Sequence, residues 1–138
     1  MKKMPATENA LLIRTDFADE AAWKKLLKTV RKPADPFMFN MEIVGNKEYS
    51  GATVEQLMEA LPDDYPHSFM VVADKAATSQ PDYPLLVVDV LEQRGRQFRA
   101  VAAEIAAIDN NLSIANMGFE EFAGQVDEGG VFRGLPET

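Results

Sequence analysis

The chain has 138 residues, of which 46% are hydrophobic and 26% charged, with a formal net charge of −8, one histidine and no cysteine. That is the size and balance of a single domain with its own core. The missing cysteines exclude disulfides, thiolate metal sites and cysteine nucleophiles, and His67 alone cannot build a multi-histidine zinc site. The acidic excess opposes nucleic-acid binding, and no apolar run is as long as a membrane span.

Met1-Lys2-Lys3 resembles the basic end of a signal peptide, but Glu8, Asn9 and Asp16 interrupt the apolar stretch that would have to follow. The cytoplasm is the expected location. Residues 1–9 and 135–138 are expected to be flexible ends of one domain spanning 1–138.

Leu11 to Thr15 predicts a short first strand. Phe17 to Lys32 predicts a helix, because Trp23, Leu26, Leu27 and Val30 recur at i, i+3, i+4, i+7. Asp19 and Glu20 begin it, Lys28, Arg31 and Lys32 end it, and Pro33 and Pro36 stop it. Phe37 to Val44 alternates as a second strand, and Gly45 to Gly51 reads as a polar loop. Thr53 and Gln56 make a capping-box pair before Val54, Leu57, Met58 and Leu61. Ser68 to Ala73 is almost wholly apolar and reads as a central strand. Lys75 to Tyr83 reads as a loop. Pro84 to Leu91 and Gln97 to Val101, around Arg94-Gly95, read as a β-hairpin. Ala102 to Ala107 fits either helix or strand. Phe119, Phe122 and Val126 mark a last helix closed by Gly129-Gly130, after which Val131 and Phe132 dock the tail. The order is β-α-β-α-β, a β-hairpin, then C-terminal helices. It predicts an α/β domain with a mixed, mostly five-stranded sheet and flanking helices.

No phosphate-binding glycine loop, dinucleotide fingerprint or nucleophile elbow is present, and any Ser-His-Asp triad would have to use His67. Three places remain. Arg14, Asp16 and Asp19 follow the first strand, and Asp74 follows the third. If those strands are parallel neighbours, Asp16 and Asp74 converge where α/β sheets bind ligands and offer oxygen ligands to a divalent cation; otherwise Asp16 or Asp19 caps the helix and Asp74 starts a turn. Asp89 interrupts an apolar strand near Arg94, Arg96 and Arg99. It either faces Arg99 across the hairpin, depending on turn length, or belongs to an arginine-rich edge that receives a carboxylate. Asn110, Asn111 and Asn116 lie in an amide-rich stretch suited to a turn and helix cap, or to reading a ligand's donors and acceptors. His67 is expected to be a satisfied structural histidine.

The stretch Asn110 to Phe122 (NNLSIANMGFEEF) resembles the closing signature of an uncharacterised bacterial family of small single-domain proteins. Leu12 to Phe17 with Ala22-Trp23, Thr53 to Leu57 and Gly130 to Gly134 resemble other parts of the same family. Ala18 and Gly118 depart from it where serine and aspartate are usual, which weakens helix caps. The resemblance implies one domain and no known activity. Leu135-Pro136-Glu137-Thr138 is similar to a sortase signal remnant, but no export signal accompanies it.

Charge is uneven along the chain. Lys24, Lys25, Lys28, Arg31 and Lys32 cluster early. From Glu104 onward come Glu104, Asp109, Glu120, Glu121, Asp127, Glu128 and Glu137, against the single base Arg133. The leading expectation is a small acidic protein-interaction module, a regulator or an inhibitor or immunity-type protein, that takes a basic partner. The alternative is a small-ligand or divalent-cation binder, or a carboxylate-based enzyme, at the end of the first strand. A homodimer through the hairpin edge is a third possibility. No cofactor is implied.

Overall fold

The computed structural model describes residues 1–5, 7–32 and 37–134. Pro33 and Pro36, expected to stop the first helix, lie outside the described residues, as do residues 135–138.

β1 (Leu11–Arg14) is buried along its whole length, as its unbroken apolar run requires of a strand covered on both faces. α1 (Glu20–Val30) starts later than the predicted Phe17, because Asp19 is the residue that caps it, accepting from the Ala22 amide at 3.0 Å. Trp23, Leu26 and Val30 are buried on one face. β2 (Glu42–Val44) is far shorter than the Phe37–Val44 alternation predicts. Its register begins at Leu11↔Glu42, so earlier residues have no β1 residue to pair with. The alternation persists without pairing: Phe37 and Phe39 are partly buried, Met38 and Asn40 exposed.

The expected polar loop before residue 52 contains a 3-10 turn, Lys47–Tyr49, that buries Tyr49 and points its hydroxyl at the Lys2 carbonyl, 2.8 Å away. The N-terminus is correspondingly tied down rather than free. Met4 is 3% exposed and its amide donates to the Ala60 carbonyl. α2 (Val54–Ala60) opens with the Thr53–Gln56 capping box in both directions.

β3 (Phe69–Ala73) is wholly buried. The expected loop after it instead begins with a helical turn, α3 (Lys75–Ser79), capped by Asp74 through the Ala77 amide. Asp82 and Tyr83 then both adopt left-handed φ, 65° and 51°, before β4 (Pro84–Asp89). β4 and β5 (Gln97–Val101) form the expected hairpin. Ala102–Glu104 is a 3-10 turn that feeds α4 (Ile105–Ser113), so the alanine-rich stretch divides between them. α5 (Phe119–Ala123) ends at Gly124 rather than at Gly129-Gly130. That glycine pair instead shapes the turn into β6 (Val131–Phe132), a sixth strand parallel to β5.

The sheet order is β2-β1-β3-β4-β5-β6, parallel except where β4 meets β3 and β5. β6 pairs with Arg99 and Ala100 of β5, so the outer side of the hairpin, on which a homodimer was expected, is covered in part. Residues of successive parity go to opposite faces. Leu12, Val71, Leu85, Val87 and Ala100 join Trp23, Leu26, Ile105, Ile108 and Phe122 in the larger core, under α1, α4 and α5. Leu11, Ile13, Met70, Val72, Leu86 and Val88 join Leu57 and Tyr49 in the smaller core, under α2. Each fully buried Leu, Val or Phe contributes about 2 kcal/mol, and both faces of the sheet collect that gain. The result is a three-layer mixed α/β domain. Among the described residues no helix is long and apolar enough to cross a membrane.

Candidate functional site

The carboxyl ends of β1 and β3 are where an open α/β sheet offers a ligand crevice. β1 and β3 are indeed parallel neighbours, with Arg14 opposite Ala73. The side chains there are committed to one another. Arg14 is 5% exposed. Its guanidinium lies 4.2 Å from the Phe17 ring centroid and 4.8 Å from that of Trp23. It donates to Glu20 Oε1 at 2.6 Å and to the Asp16 carbonyl at 2.9 Å. Asp16 Oδ2 accepts from the Thr78 hydroxyl at 2.6 Å. Asp74 caps α3 and receives both arms of Arg99, at 2.9 and 2.7 Å. The Asp16 and Asp74 carboxylates therefore serve different side-chain partners, Thr78 and Arg99. Among the described residues no group of three His, Asp or Glu is placed to hold a metal ion.

The expected Asp89–Arg99 contact is also replaced. The register sets Arg99 against Leu86 and the Asp89 amide on the Arg96 carbonyl, so Asp89 and Arg99 point to opposite faces. Asp89, 3% exposed, gathers the start of the hairpin loop. Oδ1 accepts from the Leu91 and Glu92 amides, and Oδ2 from the Gln93 amide and from Arg96. Burial works to raise its pKa, but the three amides and Arg96 outweigh it and hold the carboxyl below its ordinary value.

Two of the asparagines form the end of α4. Ala115 sits at left-handed φ 55°, its amide bonded to the Leu112 carbonyl, and the Asn116 amide reaches the Asn111 carbonyl. This is a Schellman termination with alanine where glycine is usual. Asn116 Nδ2 donates to Asn111 Oδ1 at 2.8 Å, so an amide pair closes the motif. Asn110 Nδ2 donates to the Met38 and Ala106 carbonyls and ties α4 to the chain before β2. The expected turn and cap reading fits Asn111 and Asn116, whereas Asn110 sits inside α4 and makes a tertiary tie instead.

The opposite end of the sheet is less fully committed. A cavity of about 360 Å³ lies where β3 begins and β4 ends, closed by the α4–α5 turn. Phe69, Leu91, Leu112, Met117 and Phe119 give it apolar walls. Asp89, Glu92 and Glu120 are the charged residues of its lining, which contains no lysine or arginine. Arg96 stands behind, 2.9 Å from Asp89, 3.7 Å from Glu120, and over the Phe119 ring at 4.6 Å. Leu91 and Ile114, beside this end, are 66% and 73% exposed.

His67 lines this cavity and two neighbouring clefts. Contrary to the expectation of a satisfied histidine, its Nε2 is buried without a hydrogen-bond partner among the described residues. Tyr65 meets it edge-on at 5.1 Å, but the Tyr65 hydroxyl is used by the Leu11 amide and the Phe69 carbonyl. Arg96 Nε is likewise buried and unpartnered, though the Phe119 ring face lies beneath that guanidinium. Ser113 Oγ donates to Asp109 Oδ1 at 3.0 Å, and neither group is hydrogen-bonded to His67, so no triad is assembled. Burial raises the Asp109 pKa; Ser113 and the nearby His67 oppose the shift without cancelling it.

The acid-rich C-terminal part is not one free face. Asp109 is buried, and Asp127 binds Arg133 and the Gly129 and Val131 amides. Glu120, Glu121 and Glu128 remain exposed. Lys24, Lys25, Lys28, Arg31 and Lys32 are all exposed, and no ion pair among the described residues joins them to these acids.

A lone histidine beside a proline carries no local signal, so the sequence does not mark His67 as a site residue. The Asn110–Met117 segment was legible from its amides and from the family resemblance, and it forms part of the cavity wall. No curated protein matches the chain. A family model described as "Domain of unknown function (DUF6924)" matches residues 9–135. The resemblance noted in the segments above is therefore a real membership: this chain belongs to the DUF6924 family.

Proposed function

We propose that this protein is a small cytoplasmic interaction module, without catalytic chemistry of its own, that docks a basic partner at the sheet end carrying the α4–α5 turn. One observation carries the reading. Two large apolar side chains, Leu91 and Ile114, stand exposed beside an acid-lined cavity. Exposed apolar groups close to a concave surface whose lining carries carboxylates are the makings of a protein interface. At the other end of the sheet Arg14, Asp16 and Asp74 are consumed by internal contacts, which takes support from a ligand or cation site there.

The test is affinity capture of the tagged protein from a lysate of its own cells, at low and high salt, beside an Ile114→Asp, Glu120→Lys variant. A stoichiometric partner retained by the parent protein at low salt, and lost both at high salt and in the variant, is the expected result. Absence of any such partner at low salt, or equal retention by the variant, overturns the reading.

A further inference from the structure

We infer that the cavity between the β3–β4 end and the α4–α5 turn is an anchor pocket for one basic side chain, lysine or arginine, of the docking partner. The inference rests on the interaction-module reading and deepens it. Its basis is chemical complementarity. A guest must match a lining that carries three carboxylates, of which Asp89 is paired with Arg96 at 2.9 Å, Glu120 stands 3.7 Å from the same guanidinium and Glu92 has no ion-pair partner among the described residues, with Leu91, Leu112, Met117 and Phe119 along the walls. A carboxylate or phosphate would meet like charge from Glu92 and Glu120. A purely apolar guest would strip water from those carboxylates and return no hydrogen bond. An aliphatic stem ending in an ammonium or guanidinium meets both demands, with the stem against the walls and the head toward the rim acids.

The internal groups leave room for that role. Asp89 is saturated by three amides and Arg96, so it shapes the pocket floor and fixes the loop that carries Glu92. Glu120 is held only loosely, 3.7 Å from Arg96, and Glu92 is exposed with no ion-pair partner among the described residues. The cavity, at about 360 Å³, has ample room for one long basic side chain.

The experiment titrates the full-length labelled protein with Nα-acetyl-lysine N-methylamide and with its arginine counterpart, following NMR signals of the Met117 methyl, the Leu91 methyls and the His67 ring. The norleucine and glutamate counterparts and butylamine serve as comparisons. Expected are saturable shifts confined to these groups with the basic probes, about tenfold weaker in a Glu92→Gln, Glu120→Gln variant and weakened by salt. Equal shifts with norleucine, binding of butylamine alone, or no saturable shift with either basic probe would each overturn the pocket. Because Glu92 and Glu120 are exposed, the variant is expected to keep its fold, which the unchanged remainder of its spectrum checks. A partner captured from lysate in a salt-sensitive way, with no response to any probe, leaves the module standing and removes the pocket. Probe binding without a captured partner does the reverse.

Discussion

Asp89 shows how one buried carboxylate can define a loop. Among the described residues it is the only acceptor for the Leu91, Glu92 and Gln93 amides, so removing it strands three donors and the Arg96 guanidinium. An Asp89→Ala variant is expected to lose about 3 kcal/mol in urea unfolding at pH 7. Its pKa is lowered in the folded state, so its stabilising contribution is complete above the unfolded carboxylate pKa and disappears as pH falls through the folded value. An Asp89→Asn variant therefore flattens the acid limb of the stability profile below about pH 4. Asp109 works in the opposite direction. Its pKa is raised, so it favours the fold below the unfolded value, and that benefit is lost as pH rises through the folded one. Asparagine at this position keeps an oxygen for the Ser113 hydroxyl and removes the buried charge. Asp109→Asn is expected to raise the thermal midpoint at pH 7 and leave it unchanged at pH 3; a fall at pH 7 would refute this account.

At the scale of elements, the end of α4 is held in a shape its residues do not prefer. Ala115 adopts left-handed φ at the one position of the Schellman turn where glycine carries no steric cost. Ala115→Gly is expected to stabilise the protein by about 0.5–1 kcal/mol in chemical denaturation. The change leaves the Asn111–Asn116 amide pair in place, so the pocket wall keeps its geometry. β2 gives the complementary lesson. Its alternation continues back to Phe37, yet pairing stops at Glu42, because a strand can be only as long as the partner that receives its hydrogen bonds.

For the whole molecule, the short β6 joins the C-terminal residues to the core built by α4 and α5. Phe132 is 1% exposed and meets Phe122 edge-on at 5.3 Å. Phe132→Ala is expected to cost about 3–4 kcal/mol. Trp23 reports from α1, on the same face of the sheet and in the same core cluster as Phe132. Its fluorescence and far-ultraviolet circular dichroism should lose structure together in the variant, in one transition at lower denaturant. Two separated transitions would show that the C-terminal helices and β6 unfold apart from the rest.

The α1 stripe, the Thr53 capping box, the central β3 and the β4–β5 hairpin were legible from residues a few positions apart, because helix and strand periods are local. So was the absence of any thiol chemistry. The Asn110–Met117 segment could be singled out by its amides, though not what those amides hold. Tertiary structure alone decided which charges meet. Asp89 takes Arg96 rather than Arg99, Arg99 takes Asp74, and Arg14 turns inward onto Phe17, Trp23 and Glu20. Such pairings depend on strand register, where a shift of one residue sends a side chain to the other face, and register is set by segments far apart in the chain. The same physics left His67 silent in the sequence and placed it, with an unpartnered nitrogen, in the wall of an acid-lined cavity.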